Sequence, residues 1–344
     1  MTESQFRNKV TWFSFAFSLL VVWVHSYNAE LFLGITPGME MVYRAEHWIG
    51  DWFGQIAVPG FFMISAYLFY RDFAWEKLPG KWKRRIKSVL VPFILWNFIY
   101  YLGYVIGSRL PWMTDVVGKG IVPFTLPATV DAVIHYTYNY VFWYLFQLIL
   151  LILLSPVLYP VLKNTWSRCL FMGALWVLAI LEIQLPYVNV DALIYYSWAA
   201  SFALSSRKVQ GVAERCGNER LAELGIGMIA GAAVSYRLGL GSGVVAAFVL
   251  CRLLAVSGLW LLVPGEKLPA AKDFMCHNFF LYATHFAFVR FINKSAAMML
   301  PVNGWEPFVI YLFMPVLVLF VSTALGNILR RCLPAAWSLL NGYR

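Results

Sequence analysis

Apolar runs of about 18 residues or more recur along the whole chain, and they limit its fold more than any other feature. A helix rises about 1.5 Å per residue, so each run is long enough to cross roughly 30 Å of membrane hydrocarbon. Hydrophobic residues make up 61% of the 344 residues and charged residues only 13%, which excludes an ordinary soluble domain. The sequence predicts an all-α fold, a polytopic transmembrane helical bundle.

We predict about ten membrane spans, of which the seventh, LAELGIGMIAGAAVSY, is short and rich in glycine. The spans are expected near residues 10–28, 52–70, 88–107, 141–161, 168–185, 192–206, 221–236, 242–263, 275–292 and 307–329. The first run is too long for a signal-peptide core and lacks a cleavage site, so it is predicted to be a retained span. The external connections 29–51 and 108–140 are predicted to be structured lids. Residues 1–344 are predicted to form a single integral-membrane domain.

Lysine and arginine residues are unevenly divided between alternate loops. With a cytosolic amino terminus, 20 of the 27 fall in cytosolic segments and 6 in external ones, which predicts that both termini are cytosolic. The net charge of +10 then reflects topology and attraction to anionic membrane lipids, and no nucleic-acid partner is expected. Cys169, Cys216, Cys276 and Cys332 lie near the cytosolic face and Cys251 within a span, so neither a disulfide framework nor a metal site is expected.

The first span carries a polar stripe that ends in a histidine. Ser14, Ser18, Val21 and His25 follow steps of four, three and four and share one helical face, which Asn28 continues. His25 is predicted to lie in the outer half of the membrane, about 22 Å above the cytosolic edge. A histidine there is either functional or an interfacial residue satisfied by a carbonyl or by Asn28, and the helix alone does not decide between them.

The ninth span carries a second such stripe. Asn278, Tyr282 and His285 are spaced by four and three and share one face. His285 is predicted at a depth not far from that of His25, which suggests one shared cavity. The alternative is that His285 packs and hydrogen-bonds to a neighbouring helix.

Two further features of the sequence consist of basic residues, one inside a predicted span and one group beside another span. Arg252 lies about 16–18 Å from both ends of its span, too deep for easy snorkelling, and is predicted to pair inside the bundle. Lys83, Arg84, Arg85 and Lys87 directly precede span three. This cluster is either an ordinary positive-inside anchor or a phosphate cradle for a cytosolic nucleotide ligand.

Five segments, which are distributed along nearly all of the membrane region, resemble integral-membrane acyltransferases of the type-3 family. This family includes bacterial surface-glycan O-acetyltransferases. In chain order the segments are VVWVHSYN, PGFFMISAYLF, WKRRIKSVLVPFILWN, FWYLFQLILLILLSPVLYPVL and FFLYATHFAFV. The resemblance implies ten spans in the bacterial inner membrane, a cytosolic acyl-CoA donor, acetyl-CoA above all, and no bound cofactor. It also implies an acceptor hydroxyl on a cell-surface glycan or glycolipid precursor.

The resemblance also implies roles for individual residues. His25 would be the catalytic histidine, and the four basic residues before span three would bind the CoA phosphates. The chain departs from the family at two positions. The family usually has an arginine where Ser14 stands, eleven residues before the histidine, and another where Gln147 stands. Arg252 is a candidate for the cation missing at position 14.

The chemistry implied by the resemblance needs few parts. A base must take the proton of the acceptor hydroxyl, and a neutral imidazole suits that task. The developing oxyanion needs a donor, which Tyr282, Asn28 or a cation could supply. Two other functions stay open, namely a polytopic glycan or lipid carrier and a degenerate acyltransferase acting as a partner subunit. A carrier needs neither the basic cluster nor the deep histidine, whereas Ser14 and Gln147 favour the degenerate enzyme.

Overall fold

The computed structural model describes residues 1–300 and 304–343, with side chains at all of these positions except 115–116 and 206–216. The described chain is all-helical, which confirms the predicted helical membrane bundle. Its α-helices are α1 (Glu3–Val24), α2 (Ala29–Leu33), α3 (Pro37–Trp52), α4 (Ala57–Tyr70), α5 (Leu78–Arg85), α6 (Val91–Gly107), α7 (Thr114–Val117), α8 (Leu126–Ile134), α9 (Trp143–Leu153), α10 (Ser155–Lys163), α11 (Thr165–Ile180), α12 (Val190–Leu204), α13 (Ser206–Ser242), α14 (Val245–Leu262), α15 (Asp273–Cys276), α16 (Asn278–Met299), α17 (Glu306–Cys332) and α18 (Pro334–Leu340).

Each of the ten predicted spans contains an α-helix, but only some of these helices could cross a membrane unaided. Six stretches of the described chain are long and apolar enough to do so: Glu3–Leu33, Pro37–Tyr70, Trp75–Gly107, Gly217–Ser242, Val245–Leu262 and Glu306–Cys332. The predicted fourth span consists of two helices, Tyr140–Leu153 and Ser155–Lys163, bent by 66°, and would make a seventh. The number ten and the cytosolic position of both termini therefore stay predictions.

Both long connections that are predicted to be external are structured, as expected. The first contains α2 and most of α3, and the second contains α7 and α8. A threonine caps the longer helix of each connection. The Thr36 hydroxyl accepts a hydrogen bond from the Met39 N–H, and the Thr125 hydroxyl accepts one from the Ala128 N–H. Such caps satisfy N–H groups that lack a partner within the helix.

The described chain forms two compact units, each assembled from three separate segments: 1–17, 55–81 and 147–275 in the first unit, and 18–54, 82–146 and 276–344 in the second. In the first unit, α4 packs on α12 and α13 packs on α14. The α13–α14 contact depends on glycine, because a Cβ atom on Gly258 would lie 2.8 Å from the Gly225 carbonyl oxygen. Small residues of this kind let membrane helices approach closely. The prediction of a single domain stays a prediction.

The second unit has two apolar clusters. One joins α1, α16 and α17 through Val22, Leu281, Val289, Met314 and Val318. The other joins α6 to α8 and to the connection before it, through Tyr101, Val105, Val122 and Ala132. Tyrosines of α6 also bond to α16. The Tyr100 hydroxyl donates to the Ala283 carbonyl at 3.0 Å, and the Arg290 guanidinium donates to the Tyr104 hydroxyl at 2.6 Å.

The cytosolic position of residues 71–87 can be tested by labelling single cysteines in a cysteine-free variant. A membrane-impermeant maleimide added to intact cells should modify Lys119→Cys and leave Gly80→Cys unlabelled until the cells are opened. Both positions are exposed, and a Cβ atom at Gly80 meets open space, so neither change should disturb the fold. The reverse labelling pattern would contradict the predicted orientation.

Candidate functional site

His25 lies one residue beyond the end of α1, in the second unit. Its backbone N–H donates to the Val22 carbonyl at 3.1 Å, so the last helical turn sets the position of the ring. The half-buried imidazole places Nδ1 3.2 Å from the Tyr140 hydroxyl oxygen. Phe286 contacts both rings edge-on. Sequence periodicity did not indicate Tyr140, which lies in the connection before α9.

The ring of His285 lies against that of His25, whereas the two polar stripes suggested a shared cavity without specifying a contact. The ring centroids are 5.3 Å apart, and the His285 side chain is 0% exposed. His285 Nδ1 hydrogen-bonds to the Tyr282 carbonyl. Because a carbonyl can only accept, the proton of a neutral ring lies on Nδ1 and Nε2 carries a lone pair. That Nε2 is buried and has no hydrogen-bond partner within the described residues.

Tyr282 supports the histidine pair from α16. Its ring lies 5.7 Å from that of His285, and its hydroxyl donates to the Val141 carbonyl at 2.7 Å. The phenolic proton is therefore engaged with the backbone beside Tyr140, and an oxyanion would have to compete for it. Asn278, the third residue of the predicted stripe, is the first residue of α16 and is half-buried.

A buried carboxylate holds the turn that follows His25. Glu46 on α3 is 0% exposed, and its Oε2 accepts hydrogen bonds from the backbone N–H groups of Asn28 and Ala29 at 3.1 and 3.3 Å. The Asn28 side chain donates to Asn293 at 3.3 Å, and Asn293 donates to the Ser26 carbonyl. Asn28 is thus part of a buried polar network. The sequence does not single out Glu46, because no periodic pattern in the connection 29–51 shows which side chains turn inward.

Removing the Glu46 carboxylate should destabilise the protein strongly. Glu46→Ala leaves two buried N–H groups without acceptors, which should lower the free energy of unfolding by about 2–5 kcal/mol. Thermal unfolding in detergent, followed by tryptophan fluorescence, measures this change. The matched control is Glu40→Ala on the same helix, which removes an exposed pair with Arg44 and should cost little. Equal losses for both variants would contradict the anchoring role of Glu46.

The predicted basic cluster lies at the junction of α5 with a π-helix at Ile86–Leu90. Lys83, Arg84 and Lys87 are exposed, whereas Arg85 is half-buried. The Lys87 ammonium lies 5.7 Å from the centroid of the Tyr343 ring. Three cations of the cluster are therefore open to a ligand from solvent.

The remaining predicted residues lie in the first unit. The Gln147 amide donates to the Tyr187 carbonyl and its oxygen accepts from the Asn189 N–H, both at 2.9 Å, so it fixes a turn. Arg252 interacts electrostatically with Asp191 and Tyr195 on α12. The role of Arg252 as a substitute for the cation missing at position 14 stays a prediction. Ser14 is half-buried on α1.

The family model described as an acyltransferase domain matches residues 15–327 of the chain. The chain belongs to the type-3 acyltransferase family. The comparisons with curated proteins and with solved structures found no match. The matched range runs from the first span to the last and includes both histidines of the site.

The geometry of this membrane acyltransferase suits proton transfer. His25 offers a ring nitrogen within hydrogen-bond distance of a hydroxyl, in a half-buried position where dipoles are less screened than in water. Among the described residues, no three histidine, cysteine, aspartate or glutamate side chains are grouped as metal ligands would be. Within the described residues, Cys169, Cys251, Cys276 and Cys332 form no disulfide, and Cys216 lies outside the described side chains.

Proposed function

We propose that this acyltransferase moves an acetyl group from cytosolic acetyl-CoA to a hydroxyl of a cell-surface glycan or glycolipid precursor. The reaction would take place in the bacterial inner membrane. The observation that carries the proposal is the contact between His25 Nδ1 and the Tyr140 hydroxyl at 3.2 Å. It means that a hydroxyl group can approach this nitrogen at the distance that proton abstraction requires.

The proposed reaction transfers one proton and one acyl group. The acceptor oxygen attacks the thioester carbonyl while its proton passes to His25 Nδ1. The tetrahedral intermediate then collapses, the carbon–sulfur bond breaks, and the CoA thiolate takes the proton from the imidazolium. His25 thus acts first as a base and then as an acid, and it is neutral again at the end of the cycle. Tyr140, which is 52% exposed, can yield its place to the acceptor.

The donor would bind through its phosphates. Lys83, Arg84 and Lys87 are exposed at the start of the segment that leads into α6. Ammonium and guanidinium groups form strong charge-assisted hydrogen bonds with phosphate oxygens, and CoA carries several phosphates. A carrier that moves a glycan without modifying it has no need for such a cluster.

Mass spectrometry of surface glycans tests this proposal directly. Glycans from a strain that expresses the gene should carry a mass increment of one acetyl group that a deletion strain lacks and a plasmid copy restores. An increment of a succinyl group would keep the enzyme class and change the donor. Unmodified glycans in both strains, together with a changed amount of surface glycan, would favour a carrier.

A further inference from the structure

His285 has a buried lone pair that the proposed chemistry leaves without a partner. Its Nδ1–H donates to the Tyr282 carbonyl, so the lone pair lies on Nε2, which is buried and unbonded within the described part of the chain. A buried acceptor without a donor is unfavourable. The imidazole of His25, with its centroid 5.3 Å away, is in ring contact with His285 and can supply an N–H group.

The Tyr140 contact decides which nitrogen of His25 supplies that N–H. If the Tyr140 hydroxyl donates to His25 Nδ1, the proton of the neutral His25 ring must lie on Nε2. If His25 Nδ1–H donated instead, His25 Nε2 would bear a lone pair, and the His285 lone pair would still lack a donor. The first arrangement alone can satisfy both rings. It also leaves the lone pair of His25 at Nδ1, where the acceptor hydroxyl would approach.

We propose that His285 is a positioning residue whose Nε2 accepts a hydrogen bond from His25 Nε2–H and so presents Nδ1 as the base. This inference rests on the proposed function of His25. The resulting series of hydrogen bonds runs in one direction, from Tyr140 to His25, from His25 to His285 and from His285 to the Tyr282 carbonyl. The centroid separation of 5.3 Å is compatible with a hydrogen bond of about 3 Å between a nitrogen of each ring. When His25 becomes an imidazolium during transfer, its Nε2–H keeps His285 Nε2 as a hydrogen-bond acceptor.

Two amide substitutions separate this role from simple packing. In His285→Asn the amide nitrogen reaches the position of Nδ1 and keeps the bond to the Tyr282 carbonyl, but nothing replaces the Nε2 acceptor. In His285→Gln the amide oxygen reaches the position of Nε2, but the bond to Tyr282 is lost. A packing role predicts that asparagine is the better replacement. A positioning role predicts that glutamine is.

Transfer is measured as incorporation of label from radiolabelled acetyl-CoA into membranes of a strain that makes the surface glycan. We expect His285→Asn to lower kcat between about ten- and a hundredfold with little change in the KM for acetyl-CoA, and His285→Gln to retain more activity. The control is His135→Asn, at an exposed histidine that follows the end of α8, and it should behave as the parent. In a His25→Ala background, His285→Asn should cause no further loss, because its effect passes through His25.

The tautomer of His25 gives a second measurement, on the unsubstituted protein. The chain has five histidines, so ¹⁵N-histidine labelling in detergent gives few signals, and His25→Gln identifies the signal of His25. We expect the Nε2–H form of His25 in the parent and a mixture of forms in His285→Asn. A His25 ring protonated on Nδ1, or full activity of His285→Asn, would overturn this inference. Full activity of His25→Gln would instead overturn the proposed function.

Discussion

Replacing His25 with alanine is expected to lower acyl transfer by about 10²–10⁴-fold, the range typical of a lost acid–base group. The variant should still insert and fold. Helix α1 ends at Val24, and the following turn is held by Glu46 and Asn293 through backbone groups that the substitution leaves in place. Initial rates of label transfer from acetyl-CoA, at matched protein levels in membranes, measure the loss.

His25→Gln distinguishes a base from a hydrogen-bonding residue. Its amide reaches the position of Nε2, where it can still form a hydrogen bond, but it cannot take up a proton at neutral pH, so we expect a loss close to that of His25→Ala. His135→Gln controls for the general effect of removing a histidine, since that residue is exposed and pairs with Asp131. Parent-like rates for His25→Gln would mean that the His25 ring is structural.

The histidine pair could be predicted from the sequence because it depends on helical periodicity. Steps of three and four residues align His25 and His285 with polar stripes, and their similar predicted depths suggested one shared cavity; the ring centroids lie 5.3 Å apart, although His25 stands just beyond the end of α1. Tyr140 and Glu46 could not be found in this way. Both lie in or beside connections whose paths depend on tertiary packing, and no repeat in the sequence shows which side chains turn inward.

The membrane spans were predictable as helices but not as straight crossings. The predicted fourth span breaks at Leu154, immediately before Ser155 and Pro156, and its two halves are bent by 66°. Proline removes a backbone donor and restricts the preceding residue, so a helix readily ends or bends there. An apolar run shows that a segment prefers lipid or a protein core. It does not show whether the segment crosses, bends or stops short.

Charges near the membrane were harder to assign, because a cation can bond to the backbone as well as to a ligand. Lys9, which precedes the first predicted span, is buried and donates to the Trp260 carbonyl at 2.6 Å. Lys81, next to the basic cluster, donates to the carbonyls of Phe69 and Arg71. Exposure therefore selects Lys83, Arg84 and Lys87 as the cations that a donor could reach.

The double variant Arg84→Ala and Lys87→Ala is expected to weaken acetyl-CoA binding by about 10²–10⁴-fold. Each lost charge-assisted contact with phosphate should cost on the order of 1.5–3 kcal/mol, and the two losses add if the contacts are independent. Both side chains are exposed, so the protein should fold normally. Calorimetric titration of the purified protein in detergent measures the affinity. Dephospho-CoA lacks one phosphate, so its affinities for the variant and the parent should differ less than those of CoA.

Removing one positive charge outside the basic cluster distinguishes a lipid anchor from a donor site. Arg331→Ala removes an exposed cation from the last turn of α17, in a segment also predicted to be cytosolic. If the basic cluster only attracts anionic lipid, Arg331→Ala and Arg84→Ala should affect membrane retention alike and leave CoA affinity unchanged. If the cluster binds the donor, only Arg84→Ala should weaken CoA binding. Added salt should then reduce the CoA affinity of the parent more than that of the double variant, because the double variant has fewer charges for salt to screen. Equal CoA affinity in the parent, Arg84→Ala and Arg331→Ala would show that the donor binds elsewhere.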